Sequence, residues 1–249
     1  ARHSTPDDHL IGAGDYIGSA IAKRFALGGY EIVAARRNKT GDKLAPLQAA
    51  IESNGGVCHS MTMDARDEAQ VKALFEKTER DIGPIDLCVF NVGGNVHFPI
   101  AKTTTRVFYK VWEMACFAGF LCVREAADYM VPRGRGSIFF TGATASVRGA
   151  SGYAAFASAK SGLRALAQSM ARELGPKNIH VSHLIIDAGV DTAFVRNLMK
   201  EQMGEAFDQL PPDTLMNPDS IAQVYWFLHH QPRDAWTFEL DLRPFGEKF

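Results

Sequence analysis

The chain has 249 residues, 46% of them hydrophobic, and a formal net charge of −1. This length fits one α/β domain, and the apolar content sustains a large core and excludes a disordered chain. Acidic and basic residues are mixed, with no basic tract longer than Arg36-Arg37, which excludes an electrostatic nucleic-acid surface.

The first distinct unit is the turn Gly12-Ala-Gly14-Asp-Tyr16-Ile17-Gly18, which runs into helical apolar spacing over Ile17–Leu27. A buried first strand should hold about 5–6 apolar residues. Only Leu10 and Ile11 precede Gly12, so that strand is either short or carries polar residues at a central position. Glu31–Ala35 is a short β-branched run, and Leu44–Ile51 is helical with Gly55-Gly56 as its stop. Val57–Met61 reads as a strand and Ala69–Ile82 as a helix closed by Gly83-Pro84. Ile85–Phe90 is a near-continuous apolar strand, the pattern of a strand covered on both faces. The spacing then predicts a long helix over Arg106–Met130, stopped by Pro132 and Gly134. A strand follows over Ser137–Phe140, a helix over Gly152–Leu174 and a strand over Ile179–Ile186. Pro218–His229 reads as a helix and Trp236–Leu240 as a last strand. The one long irregular region, 187–217, has the length of a functional lid or binding loop. In it Phe194, Leu198, Met199, Met203 and Phe207 form an apolar stripe at helical spacing. The stripe suits either a lid over a small apolar substrate, acyl or aromatic, or a helix packed on the core or on a neighbouring subunit.

Strands alternating with helices imply one domain over residues 1–249, a doubly wound parallel sheet of about seven strands with helices on both faces. The Rossmann-type dinucleotide fold is the leading instance. No apolar run approaches the roughly 20 residues that span a bilayer, and residues 1–9 lack the apolar segment of a secretory signal. Cys58, Cys88, Cys116 and Cys122 form no Cys-x-x-Cys pair, so a cytoplasmic chain with reduced thiols and no metal site is expected.

The glycines of the first turn let a backbone approach a pyrophosphate, and the helix behind them offers free N–H donors and a positive dipole end. The second strand ends in Arg36-Arg37. An acid there would accept hydrogen bonds from the ribose of NAD, whereas arginine is a forked donor to the extra phosphate of NADP. NADP is therefore expected over NAD, with a solvated surface pair as the alternative.

These motifs, in this order, resemble the short-chain dehydrogenase/reductase family. The first turn is similar to its Gly-x-x-x-Gly-x-Gly, with Gly12 and Gly18 at the outer positions and Tyr16 where the middle glycine would stand. Gly14 and Ile17 belong to the same cofactor-binding turn. Asp64-Ala65 resembles the position that contacts the adenine amino group; a helix cap ahead of Asp67 is the other reading. Asn91-Val-Gly93-Gly94 resembles the Asn-Asn-Ala-Gly signature that packs against the cofactor, although a plain turn also uses glycines.

The resemblance continues through 136–192 and implies a catalytic Ser, Tyr, Lys and Asn. The Ser slot is Ala143, the Tyr slot is Phe156 and the Asn slot is Cys116; Lys160 alone remains. In the family this lysine holds the nicotinamide ribose and lowers the tyrosine pKa. Carbonyl reduction needs a donor to the developing alkoxide, and losing such a donor costs on the order of 10²–10³ in rate. Tyr153 lies seven residues before Lys160, two helical turns away on the same face. The related bacterial enoyl-acyl-carrier-protein reductases use Tyr-x₆-Lys, which makes Tyr153 the candidate donor; packing at the helix entry is the alternative. Gly189 and Thr192 loosely resemble the Ala-Gly-then-Thr turn of those reductases. Thr141, Thr144 and His97 are further candidates near the site. Two functions remain open: a reductase with an altered proton donor, or a nucleotide-binding protein without turnover that acts as a sensor or assembly partner. The family pairs through helices near 106–130 and 152–174, which implies a homodimer or homotetramer.

Overall fold

The computed structural model describes residues 7–11, 13, 14, 16–37 and 43–247, with residues 7–11 described by their backbone. Among the described residues one sheet has seven strands: β1 (Asp7–Ile11), β2 (Glu31–Arg36), β3 (Cys58–Thr62), β4 (Ile85–Phe90), β5 (Gly136–Thr141), β6 (Ile179–Ile186) and β7 (Glu239–Leu242). The spatial order is β3-β2-β1-β4-β5-β6-β7, and every neighbouring pair is parallel. The helices are α1 (Ile17–Leu27), α2 (Ala45–Glu52), α3 (Glu68–Asp81), α4 (Thr105–Trp112), α5 (Ala118–Arg133), α6 (Ala154–Leu174), α7 (Ala193–Met203) and α8 (Pro218–His229).

Successive strand residues point to opposite faces, so each strand feeds two cores. Phe139 packs with Leu87, Val89 and Leu184 under α1, α2 and α8. Its neighbours Ile138 and Phe140 pack with Phe90 under α3, α5 and α6. Parallel strands must cross over the sheet between neighbours, and these helices are the crossovers. The order of the strands reverses between β1 and β4, and ligands of such sheets bind outside the carboxyl ends at that reversal.

Four local features differ from the reading of the sequence or resolve it. β1 has an ordinary length, because Asp7, Asp8 and His9 pair with β2 and β4 on either side. Backbone groups form the ladder whatever the side chains are, so polar residues can complete a central strand. The helix expected to stop at Pro132 runs on to Arg133 and ends at Gly134, which takes the left-handed conformation (φ 60°, ψ 34°). A proline in the last turn removes one helical hydrogen bond, and the Gly134 N–H closes the helix on Met130 and Val131. Between α4 and α5 the chain makes a π-helical turn over Glu113–Phe117. Finally, 187–217 is not irregular throughout: it holds α7, a 3₁₀ segment over Gly204–Gln209 and a bridge between Val190 and Met216. α7 buries no residue in its own chain, and Phe194, Leu198 and Met203 are exposed.

The fully buried strand β6 contains His180, Ser182 and His183. Their partners lie on or beside β7. His180 Nε2 donates to the Thr237 carbonyl at 2.9 Å, and Ser182 donates to the same oxygen. His183 Nδ1 is 3.0 Å from Glu239 Oε2, and Arg164 of α6 grips that carboxylate with two bonds of 2.6 and 2.7 Å. These bonds fasten the short edge strand to the sheet and to α6.

Gly28 ends α1 where Trp226 of α8 crosses it, and an added Cβ would fall 2.1 Å from Trp226 Cη2. Arg24 lies over that indole, 3.9 Å from the ring centroid. Gly28→Ala is expected to lower the unfolding free energy by about 1–3 kcal/mol, as overpacking does. The midpoint of urea denaturation measures this. An unchanged midpoint would mean that Trp226 swings aside freely.

Candidate active site

Two cavities adjoin at the carboxyl ends of the strands and share the wall residues Asn91, Val92 and Gly93 just after β4. The smaller, of 420 Å³, lies beside the ends of β2 and β3, and Gly14 of the glycine turn lines it. Four cations stand on its wall: Arg36, Arg37, Lys43 and Arg66. Asp64 and Ala65 line it as well. Arg66 grips Asp64 through Nε at 2.9 Å and Nη2 at 2.6 Å. That hydrogen bonding overcomes partial burial and lowers the Asp64 pKa to about 2. Asp67, not Asp64, caps α3, accepting from the N–H groups of Ala69 and Gln70.

The glycine turn divides its residues between several tasks. Gly12 lies outside the described residues. Ile17 lines the larger cavity, and Gly18 is buried in the first turn of α1. Tyr16 is on neither cavity wall. Its hydroxyl accepts the N–H of Ala193 at 3.2 Å, which joins the turn to the start of α7.

The larger cavity, of 590 Å³, brings together Ala143, Tyr153, Phe156 and Lys160, with Thr192 opposite. α6 explains the grouping: Phe156 and Lys160 are four residues apart and share one face. Lys160 is 3% exposed, and its ammonium donates to Val92 O at 3.0 Å and Thr141 O at 2.8 Å. Burial pushes its pKa down to about 8, against a smaller opposing effect of Cys116. The bare Phe156 ring lies 5.9 Å from the ammonium. Tyr153 is the residue immediately before α6, and its ring meets the edge of His97 at 5.0 Å. Gly152 makes that contact possible: it has φ +81°, and a Cβ there would lie 2.2 Å from His97 Nε2. His97 is exposed and absent from both walls, so it supports Tyr153 rather than facing the cavity.

Nearby hydroxyls have other partners. Thr141 Oγ1 lies 2.6 Å from the hydroxyl of buried Tyr225, and Thr144 donates to Asp187 Oδ1 at 2.5 Å. Ser146 accepts the Ala143 N–H at 3.1 Å. Cys116 sits in the π-helical turn, off both walls, against Gly162 of α6. Thr192 caps α7 through the Val195 N–H at 3.1 Å, whereas Gly189 is off the wall and accepts the Met216 N–H at 3.0 Å. Sequence reasoning passed over two residues here. Asp187, buried at the end of β6, faces Arg148 at 3.6 Å and Arg243 at 3.4 Å, and Arg148 lines the cavity. Their only signal was a carboxylate ending an apolar strand.

The family model described as enoyl-(acyl-carrier-protein) reductase matches residues 12–237. The crystal structure of a short-chain dehydrogenase from Rhodopseudomonas palustris is 51% identical and aligns over 96% of this chain and 99% of its own, with a TM-score of 0.81. A short-chain dehydrogenase/reductase of Armillaria gallica is 30% identical over 174 residues, 70% of this chain and 67% of its own. A metagenomic short-chain oxidoreductase solved in complex with NADP shares the fold, with 23% identity, a TM-score of 0.79 and coverage of 97% and 98%.

Burial raises the pKa of Cys58 to about 11 and of Cys88 to about 12, and it also raises Cys116 and Cys122. A thiol reacts as its thiolate, so iodoacetamide at neutral pH is expected to label the native protein at least about tenfold more slowly than the unfolded chain. Peptide mass spectrometry reads each site. Rapid labelling of Cys116 would reveal a thiolate that this environment does not favour.

Proposed function

The chain belongs to the short-chain dehydrogenase/reductase family of NAD(P)-dependent oxidoreductases, and we propose that it is an NADP(H)-dependent member with an altered proton donor, reducing an activated C=C or carbonyl of an apolar substrate. One observation carries this reading. The buried ammonium of Lys160 stands on the wall of a large, mostly apolar cavity, fixed to the backbone at the junction with a smaller, cation-lined one.

The residues present fit the cofactor. An ammonium has three donors, and two of those on Lys160 go to Val92 and Thr141, which leaves one N–H for a ribose hydroxyl. Arg36, Arg37 and Lys43 suit an additional phosphate, and the metagenomic relative binds NADP. Gly14 and the first turn of α1 suit the pyrophosphate. Asp64 and Ala65 line the smaller cavity, Asn91 and Gly93 line both, and Thr192 lines the larger. When bound, NADPH supplies the hydride.

The remaining work falls to the protein. Tyr153 lines the cavity, and in this reading its hydroxyl donates to the substrate oxygen as charge develops there. Phe156 and Ala143 keep the wall dry and offer no proton. The positive charge of Lys160 favours the anionic product of hydride addition. Ala188, Val190 and Thr192 bring segment 187–217 to the wall of the cavity, which suits a lid, and the exposed apolar stripe on α7 suits an apolar substrate. The exposed aromatic face of Phe108, Tyr109, Trp112 and Phe120 suits subunit contact in a homodimer or homotetramer.

A second reading has its own support. Thr144 donates its proton to Asp187, Thr141 is paired with Tyr225, and Ser146 is held by the Ala143 N–H, so the hydroxyls nearest the emptied serine slot are tied to the protein. That suits a nucleotide-binding protein without turnover.

Oxidation of NADPH with a panel of enones, enoyl thioesters and ketones decides between them, followed at the reduced-nicotinamide absorbance. Turnover is expected, and Tyr153→Phe is expected to lower it by about 10²–10³-fold, the usual effect of losing one such donor. Full activity in Tyr153→Phe removes the donor assignment, and tight NADPH binding with no turnover on any substrate favours the second reading. The lysine makes a separate test. With a folded-state pKa of about 8 it is protonated below that pH and neutral above it. NADPH affinity, measured by fluorescence titration, is expected to fall as pH rises through about 8, and Lys160→Met is expected to lack that fall. An affinity independent of pH across this range would show that the ammonium does not hold the cofactor.

A further inference from the structure

The wall of the larger cavity is mostly apolar, with Ile17, Ala145, Phe156, Ile186 and Val190 among its residues. Among the described residues that line it, Lys160 and Arg148 alone are charged, and both are cations. Lys160 is committed to two backbone carbonyls. Arg148 is placed differently. It follows the 3₁₀ turn Thr144–Ser146, its N–H is bonded to Thr144 O at 3.0 Å, and its side chain is 47% exposed. The carboxylate nearest to it, Asp187, is buried and is not on the wall. Asp187 Oδ1 accepts the Thr144 hydroxyl at 2.5 Å and Oδ2 faces Arg243 at 3.4 Å. At 3.6 Å from Oδ1, Arg148 is the most distant of these three partners.

A guanidinium is a planar fork of five N–H donors matched to a carboxylate. A single contact at 3.6 Å tethers that fork without filling it. We infer that Arg148 is a specificity-determining residue that binds a carboxylate on the substrate, so that the cavity takes an apolar acid. This rests on the reductase reading and names its substrate class. A neutral amide offers this fork one acceptor oxygen and no charge, so it is held less tightly than a carboxylate.

The test compares para-carboxybenzalacetone, an enone with its acid at the far end of an aromatic body, with the matching primary amide. The NADPH-loaded protein is assayed with each, and isothermal calorimetry follows binding of the saturated acid and amide to the same complex. The acid is expected to exceed the amide by tenfold or more in kcat/KM, mainly through KM, and by a similar factor in affinity. Arg148→Gln is expected to bring both ratios to about one, and Arg148→Lys to restore part of the preference. Absence of any preference for the acid in wild-type protein, by both measurements, overturns the assignment. So does a preference that survives Arg148→Gln. Calorimetric preference for the acid that depends on Arg148, with no NADPH oxidation, would keep the carboxylate site and remove the reductase reading.

Discussion

A lysine ammonium taken out of water must be given partners, since an unpaired buried charge is penalised by several kcal/mol. Lys160 finds them in the carbonyls of Val92 and Thr141, which lie just after β4 and at the end of β5. This single requirement fixes much else. The two strand ends must be adjacent, α6 must enter at an angle that turns Phe156 and Lys160 inward, and the backbone after β4 must stay close. The same burial lowers the lysine pKa to about 8, within reach of neutral pH.

Around the lysine the polar groups are almost all spent on structure. Thr141 reaches Tyr225, Thr144 reaches Asp187, and Ser146 ties down Ala143. The other polar residues on the wall of the larger cavity are Tyr153, Lys160, Arg148, Asn91, Asn95 and Thr192, set in a mostly apolar lining.

Much of this was legible in the chain itself. Alternating strand and helix signals, together with the glycine turn, point to a parallel dinucleotide-binding sheet, and the helical spacing of Phe156 and Lys160 puts them on one face. Local signals failed where distant backbone or side chains decide. Asp7, Asp8 and His9 look wrong for a central strand, yet the ladders on both sides complete it. Pro132 looks like a stop but falls in a final turn that tolerates it. The buried histidines of β6 need partners from β7 and α6, and Arg148 needs Asp187 and Thr144; no spacing rule announces such pairs. Asp64 shows the converse: its place at the cavity was expected, but its grip by Arg66, two residues on, was not.

The bond from the Ala193 N–H to the Tyr16 hydroxyl anchors one end of α7 to the residue that precedes α1. The rest of that helix is held by no burial in its own chain. Its origin and its body are therefore open to change to different degrees. Residues along the exposed stripe can be exchanged with little consequence for folding. Replacement of Tyr16, by contrast, would cut the tie between the start of that helix and the head of α1.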